Sequence, residues 1–406
     1  MRTFLILTVM ATGINLLINL PAIASEPGKL PAQMQLTRIA ADKWRADYSF
    51  SEAISRFSMP AAGDYRSTAW KPLTTGVHYQ AEPSAQPDQP IDSYILAQPA
   101  RQLSFEITSY NGFAQKNYSP NNRYSNGGAG IYMGFFDGDV QEGGKTRGMN
   151  LTVSYQGLPG ETVIPPPSFS DAERSLRAYA YFGPQKPVLA GAAKLVLDPA
   201  TPEWLARLIL DTTSTMSAYF SSNYQRPLLR ELVLMISVTD TSSPGFSMKG
   251  GATNGQITFR LSGKAMLNEH PAIRHLVQKL VAHEMAHIWQ ENVSQGGIGD
   301  EPAWIHEGGA EAMAIEALKN TGIWTAEEAV TYQTNASATC KKITSQSDPY
   351  HYAYACGLQK FMALNVDIPL LWRSLISETG QSGQPYSEAM LVSVSQRLRN
   401  NPSVSK

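Results

Sequence analysis

Residues 281–289 read VAHEMAHIW, and the structure expected for the region around them follows from this motif. His283 and His287 are four residues apart, so a helix places both imidazoles on one side, where they can share a metal ion. Glu284 can reach a water beside that ion without occupying a ligand position. Pro271 fits the first helical turn, where its missing N–H costs nothing. Apolar residues recur at the 3.6-residue period that buries one face of a helix: Ile273, Leu276, Val277, Leu280, Val281 and Ile288.

Residues 304–311 read WIHEGGAE and supply the carboxylates that a metal site of this kind needs. Nineteen residues separate His287 from Glu307. Glu307 and Glu311 are four apart and share a helical face, whereas His306 points off that face. We predict that Glu307 is the third metal ligand and that Glu311 accepts an imidazole N–H as an outer partner. Two histidines, one carboxylate and an open fourth position form the protein side of a catalytic zinc site, with one Zn²⁺ per chain.

The second motif is predicted to lie on a helix of its own. The run GGIG at residues 296–299 predicts a turn, and a helix then starts near Pro302 and continues to Leu318. Gly308 and Gly309 inside a helix cost about 1 kcal/mol each against Ala. This cost indicates a close approach of two helices at the metal.

The two motifs together resemble those of the gluzincin zinc metallopeptidases, above all the aminopeptidase N-like and glycyl-aminopeptidase-like branches. Their second motif reads W-[LI]-x-E-G-x-[AT], and residues 304–310 read WIHEGGA. The aminopeptidase N-like branch usually has one residue fewer between the motifs, and thermolysin-like relatives share the spacing of nineteen. The resemblance covers roughly residues 230–365. It implies hydrolysis of peptide bonds by a metal-activated water, with Glu284 as general base.

The same resemblance implies a donor for the oxyanion that forms during hydrolysis. Aminopeptidase N-like proteins carry Tyr-x-x-Gly at the start of a helix downstream of the third ligand, and residues 354–357 read YACG. We therefore predict Tyr354 as the donor and keep His351 as the alternative. Tyrosines clustered in a loop also pack without a catalytic role, which is the competing interpretation.

A substrate-binding edge is the third implication of the resemblance. In gluzincins the strand just before the metal helix is an edge that pairs with extended substrate, and a Gly-rich turn precedes it. Residues 250–254, GGATN, fit the turn and residues 256–261 fit the strand, so Gly250 and Gly251 are predicted to bind substrate. An ordinary hairpin turn explains the same glycines.

One departure from the aminopeptidase pattern bears on specificity. Aminopeptidases of this group place a Glu in that turn to hold the substrate amine, and Thr253 or Asn254 stands there instead. This departure favours an endopeptidase acting on peptides or proteins over an aminopeptidase.

The remainder of the chain predicts an α+β fold in successive parts. Residues 25–200 have short apolar or alternating runs between Gly, Pro, Asn and Ser clusters, which predicts an antiparallel β sandwich as the N-terminal domain. Residues 201–335 are predicted as a gluzincin-type catalytic domain, with a mixed sheet and the helices that carry the zinc site. Within it, a helix is predicted at 202–219, a buried strand at 231–238 and a short helix at 326–333. Residues 336–406 are predicted as a helical C-terminal part of the catalytic unit.

The N-terminus and the two cysteines predict an exported protein. Residues 1–24 have a basic start, an apolar run and an Ala-x-Ala site, which is typical of a cleaved signal peptide; a transmembrane anchor is the alternative. Cys340 and Cys356 are 16 residues apart, and export favours a disulfide between them over two free buried thiols. We expect a periplasmic or secreted location with no stable membrane insertion after cleavage.

Charge and motifs together narrow the function. The formal net charge is −1 with no basic block, which gives no electrostatic support for nucleic-acid binding. The predicted function is an exported zinc-dependent peptidase with a peptide or protein substrate and no organic cofactor. Two alternatives stay open: a zinc hydrolase of a non-peptide bond, and an exported binding or scaffold protein with a relic zinc site.

Overall fold

The computed structural model describes residues 28–82, 90–112, 114, 118–168, 176–225, 228, 230–253, 255–291 and 302–400. The predicted signal peptide, the predicted turn at 296–299 and Asn254 lie outside these residues. Among the helices that are described, none is long and apolar enough to cross a bilayer.

The first half of the described chain is a β sandwich. Its larger sheet contains β1 (Leu30–Ala40), β2 (Lys43–Pro60), β3 (Trp70–Pro72), β4 (Val77–Glu82), β5 (Ile91–Thr108), β8 (Asp139–Glu142) and β9 (Lys145–Gln156). The order is β1-β9-β8-β2-β5-β3, with β4 on β5. A second sheet runs β10 (Thr162–Ile164), β11 (Tyr179–Gly183), β7 (Ala129–Tyr132) and β6 (Asn121–Arg123). Pairing is antiparallel as predicted except between β1 and β9, which run parallel.

Alternation of apolar and polar residues builds this sandwich. Along β1 every second side chain from Leu30 to Leu36 is buried and those between are exposed, because successive residues of a strand face opposite sides. The buried faces of the two sheets share one core. Within it, Trp44 of β2 meets Phe182 of β11 edge-on, with ring centroids 6.4 Å apart.

A third sheet links the sandwich to the helices. It runs β12 (Val188–Ala190), β13 (Ala193–Leu197), β14 (Leu232–Asp240), β16 (Gln256–Ser262) and β15 (Ser247–Thr253), with β13, β14 and β16 parallel. Strand β14 is apolar on both faces: Val233 and Met235 join the core of the sandwich, and Leu234 and Ile236 join the helical core. The buried strand predicted at 231–238 is confirmed for this reason.

The helices follow the predicted order, which confirms the α+β fold class. They are α1 (Tyr65–Ala69), α2 (Glu203–Tyr224), α3 (Pro271–Gln290), α4 (Ala303–Asn320), α5 (Ala326–Cys340), α6 (Pro349–His351), α7 (Gly357–Ala363), α8 (Ile368–Ser382) and α9 (Glu388–Asn400). Short 3₁₀ turns lie at Met133–Phe135 and Lys264–Leu267, and a π-helical turn at Tyr352–Cys356 joins α6 to α7. Helix α5 is longer than predicted, and a capping box between Thr325 and Glu328 begins it.

The predicted domain boundaries stay predictions, and two elements bear on them. Strands β12 and β13 precede residue 201 but pair into the third sheet, and helix α5 continues past residue 335. The predicted disulfide is confirmed. Cys340 at the end of α5 is bonded to Cys356 in the π-helical turn, with the Cα atoms 4.9 Å apart.

The predicted substrate edge is wrong in its assignment of elements. Strand β16, the predicted edge, lies between β14 and β15 and is paired on both sides. The glycines predicted to form a turn lie in β15, which is the outer strand of this sheet among the described residues. Strand β15 was not predicted because glycine is depleted in strands, so GGAT suggested a turn rather than a strand.

Candidate metal centre

The structure brings together the three side chains predicted as metal ligands. His283 Nε2 and His287 Nε2 are 3.0 Å apart, and each lies 3.2 Å from Glu307 Oε2. Zinc bonds of about 2.0–2.1 Å in tetrahedral geometry place ligand atoms about 3.3 Å apart. The three atoms therefore form a triangle of the size that zinc requires, and this donor set is one that zinc uses.

Two helices position this triangle. In α3 the spacing of four puts both imidazoles on one face, and His270 caps the helix by accepting a hydrogen bond from the Ala272 N–H. Helix α4 packs against α3 and presents Glu307 from its second turn. His283 and His287 are buried, whereas the Glu307 side chain keeps 24% of its exposure, so the centre is open on the carboxylate side.

The environment of Glu307 keeps it ionised. Burial alone would raise its pKa, but contacts with His283 and His287 outweigh burial and lower the pKa well below its usual range. A carboxylate that is already ionised can bind a cation without first losing a proton.

His287 is held from two directions. Its Nδ1 lies 2.7 Å from Gln290 Oε1, and the Gln290 amide nitrogen donates to the backbone carbonyl of His306 at 3.0 Å. The His306 ring stacks on the His287 ring with centroids 4.2 Å apart. Burial and the neighbouring His287 lower the pKa of His306 to about 3. His306 is therefore neutral at pH 7 and adds no positive charge beside His287.

His283 has a charged neighbour instead. Its Nδ1 lies 3.6 Å from Glu311 Oε2, which is beyond a direct hydrogen bond. Glu311 is buried, ion-paired with Lys279 at 2.6 Å, and accepts a hydrogen bond from the Tyr332 hydroxyl at 3.1 Å. Burial would raise the pKa of Glu311, but Lys279 and His283 lower it to about 2.

Glu284 is held beside the triangle by the edge of the third sheet. Its Oε2 accepts a hydrogen bond from the Ala252 N–H of β15 at 2.8 Å. A Cβ on Gly251 would lie 3.5 Å from the same oxygen. Gly251 therefore borders the predicted base. Gly250 has φ +150° and a Cβ there would clash with Thr258 of β16, so this glycine permits strand pairing rather than facing the metal centre.

Tyr354 covers one face of the centre. Its ring stacks on the His283 ring with centroids 5.2 Å apart. Burial, together with the Glu307 carboxylate that its hydroxyl contacts, raises the pKa of Tyr354 well above its ordinary value, so the hydroxyl keeps its proton. His351, the alternative donor, is mostly exposed and bonds Asp348 at 2.7 Å. The geometry favours Tyr354 of the two.

The adjacent glycines of α4 each have a packing reason. A Cβ on Gly308 would lie 2.4 Å from the backbone of Gly357. A Cβ on Gly309 would lie 2.7 Å from Trp372 and 3.0 Å from Gln290 Nε2. The predicted close approach is therefore present, but Gly308 meets the segment that carries Tyr354 rather than the metal helix. This contact also explains the glycine of the Tyr-x-x-Gly motif.

Several residues that support the centre were not predicted from the sequence. Gln290 and Lys279 lie on α3 at three residues after His287 and four before His283, so helical spacing alone contained the signal. Tyr332 and the Ala252 N–H come from other elements. Nothing in their local sequence indicates that the fold brings them to the site.

A groove lies behind Tyr354, between α3 and α5. Two neighbouring cavities of about 580 and 270 Å³ share the lining residues Lys279, Tyr332 and Asn335. The smaller cavity reaches Tyr354 and Glu311. The fold thus leaves accessible volume on the side of the centre that the tyrosine covers.

Comparison with known proteins identifies a related fold. A family model described as "Peptidase of plants and bacteria" matches residues 201–341. An aminopeptidase N family protein from Idiomarina loihiensis shares 10% identity and superposes with a TM-score of 0.61, over 90% of this chain and 72% of its own. At this identity the likeness shows the fold alone. No curated protein matches the chain in sequence.

Two further solved structures with lower TM-scores are named as a metallopeptidase and a hydrolase. The M1 zinc metallopeptidase from Deinococcus radiodurans has a TM-score of 0.47 and 14% identity, over 94% of this chain and 92% of its own. Native leukotriene A4 hydrolase from Saccharomyces cerevisiae has a TM-score of 0.48 and 8% identity, over 93% of this chain and 65% of its own. The chain is an α+β protein with an aminopeptidase N-like fold and a segment that matches a peptidase family.

Proposed function

We propose that this chain is a zinc-dependent peptidase of the gluzincin type, with His283, His287 and Glu307 as zinc ligands and Glu284 as general base. The observation that carries the proposal is the triangle of ligand atoms, 3.0 to 3.2 Å on each side, with the Glu284 carboxylate fixed beside it. The matched peptidase family model over residues 201–341 supports the class of reaction.

The residues of the chain have distinct roles in this proposal. Bound zinc supplies a Lewis acid that lowers the pKa of a water to about 7 and polarises a carbonyl. Because the Ala252 N–H holds Glu284 Oε2, Oε1 is the oxygen that takes a proton from the attacking water and returns it to the leaving amine. Tyr354 stays protonated and donates its hydroxyl hydrogen to the carbonyl oxygen as negative charge develops there.

The substrate and location belong to the same proposal. Among the described residues β15 has a strand partner on one side only, and its other side faces Glu284, which supports binding of an extended peptide along that edge. Gly251 is the glycine of that strand closest to the base. The disulfide between Cys340 and Cys356 supports an exported protein, because such bonds persist in oxidising compartments.

The test combines metal content with cleavage of a mixed peptide pool. Purified protein should contain one zinc per chain, and a chelator should abolish cleavage. Glu284→Gln should keep zinc and lose roughly 10²- to 10⁴-fold in turnover, the usual contribution of a general base. Glu203→Gln, on the exposed surface of α2, is the matched control and should cleave normally.

Three results would contradict the proposal: normal turnover by Glu284→Gln, an absence of zinc after metal repletion, or zinc without cleavage of any peptide. The new ends of the products distinguish an endopeptidase, which cuts internally, from an aminopeptidase, which removes single residues from the amino terminus.

A further inference from the structure

Gln290 is a buried amide whose two polar atoms both have partners. Its side chain lies at the C-terminal end of α3 and the residue is 2% exposed. One end is 2.7 Å from His287 Nδ1 and the other is 3.0 Å from the backbone carbonyl of His306. An amide with both ends satisfied in a buried position has a single favourable orientation.

The backbone carbonyl determines which atom of Gln290 faces His287. A carbonyl oxygen can only accept, so the amide nitrogen must face His306 and the amide oxygen must face His287. The amide oxygen can itself only accept, so His287 Nδ1 must carry the hydrogen. In a neutral imidazole this leaves the lone pair on Nε2, the atom that lies 3.2 Å from Glu307 Oε2.

Neighbouring residues restrict the movement of this amide. The His306 ring stacks on the His287 ring, so the residue that orients Gln290 through its carbonyl also covers the imidazole that Gln290 holds. Gly309 lies against the amide nitrogen, and even a Cβ at that position would come within 3.0 Å of it. Because Gly309 has no side chain, the Gln290 amide has room to lie at this position.

We propose that Gln290 is a positioning residue that selects the Nε2 lone-pair tautomer of His287 and thereby raises the affinity of the site for zinc. This inference rests on the zinc site proposed above. Loss of an outer partner of this kind weakens metal binding by about 10- to 100-fold. The structural basis is the chain of hydrogen bonds from the His306 carbonyl through Gln290 to His287.

The experiment measures zinc affinity of the metal-free protein by competition with a fluorescent chelator. Gln290→Met keeps the size of the side chain but replaces the amide oxygen with a thioether sulfur, which is only a weak acceptor, and should weaken binding by about 10- to 100-fold. Gln290→Glu keeps the acceptor and should bind zinc more tightly than Gln290→Met. The matched control is Gln278→Met. Gln278 is a second buried glutamine on α3 and accepts from the Trp324 indole at 3.2 Å, so its replacement should leave zinc affinity unchanged.

A second measurement covers the case in which Gln290→Met does not fold. In the zinc-loaded native protein, the Nδ1–H hydrogen of His287 should give a slowly exchanging proton resonance, and Gln290→Glu should shift it downfield because a carboxylate is the stronger acceptor. Equal zinc affinity in Gln290→Met and native protein, or an unshifted resonance in Gln290→Glu, would overturn the inference. A native protein that binds no zinc would instead refute the proposed function.

Discussion

The two histidines of the metal centre are backed by different chemistry. His287 donates to a neutral amide at 2.7 Å, and that amide is fixed by a backbone carbonyl. His283 faces the carboxylate of Glu311 at 3.6 Å, and Glu311 is paired with Lys279. Each imidazole also has one face covered by a ring, His306 in the first case and Tyr354 in the second.

His287 is therefore oriented by a neutral group, whereas His283 lies beside charged groups. A neutral amide that is fully hydrogen-bonded fixes an imidazole at little electrostatic cost and does not change with pH. A buried carboxylate needs a counterion, and Lys279 supplies it for Glu311 on the His283 side. The net charge around His283 therefore depends on which of these groups are protonated. We therefore expect changes on the His283 side to affect folding and pH dependence, and changes on the His287 side to affect zinc affinity.

Removal of the counterion should have the largest effect. Lys279→Met removes the ion-pair partner of the buried Glu311, and breaking a buried pair costs up to about 3–5 kcal/mol of unfolding free energy, part of which the charged His283 at 3.6 Å offsets. Lys319→Met is the control, because the pair of Lys319 with Glu316 is partly exposed and should be worth about 0–1 kcal/mol. Urea unfolding of the zinc-free proteins measures both. Equal losses in the two variants would show that Glu311 needs no counterion.

The pH dependence of zinc binding should come from the His283 side. Burial lowers the pKa of His283, but the carboxylates of Glu311 and Glu307 outweigh burial and raise the pKa to about 9 in the zinc-free protein. Zinc must displace that proton, so affinity should rise with pH by at most about tenfold per unit and level off near pH 9. Glu311→Gln removes one carboxylate and lowers this pKa, so the plateau should begin at a lower pH.

Chelator competition at a series of pH values measures both profiles. Glu316→Gln, nine residues after the ligand Glu307 on the same helix, serves as the control and should follow the native profile. A Glu311→Gln profile that coincides with the native one would contradict the role of Glu311 in setting the charge of His283.

A methyl group behind Gln290 should have the smallest effect. Gly309→Ala crowds Trp372 and the Gln290 amide, and overpacking of this kind costs about 1–3 kcal/mol. A Cβ on Gly380, in α8, would have nothing within 4 Å, so Gly380→Ala should be neutral or stabilise by up to about 1 kcal/mol. Thermal unfolding compares the two. A stabilised Gly309→Ala variant would mean that the amide has room to move.

Helical spacing is the reason that much of the centre could be predicted from sequence. The positions of His283, His287 and Glu307 follow from two short motifs, and the bounds of α3 and α4 follow from Pro271, Pro302 and an apolar period. Charge pairing was also readable in principle, since Lys279 and Glu311 each lie four residues from a predicted ligand. The pair was not predicted because Lys279 belongs to neither motif, although Glu311 was predicted as an outer partner of an imidazole.

Contacts between distant elements could not be predicted in this way. Glu284 is held by a backbone N–H of β15, and a backbone group leaves no signature in the side-chain pattern. The outer strand itself was mistaken for a turn because its glycines are explained by contacts with Thr258 and Glu284, which lie elsewhere in the chain. The parallel pairing of β1 with β9 likewise depends on residues more than a hundred positions apart.

Gly308 and Gly357 cannot compensate for each other. Most packing defects can be repaired by a smaller residue on the opposite side of the contact, but no residue is smaller than glycine. A Cβ on either one meets the backbone of the other within 2.7 Å. The spacing between the helix of Glu307 and the segment of Tyr354 is therefore set by main chain alone. A larger residue at either position would change the spacing between Glu307 and Tyr354. No replacement at the other position of the pair could restore that spacing.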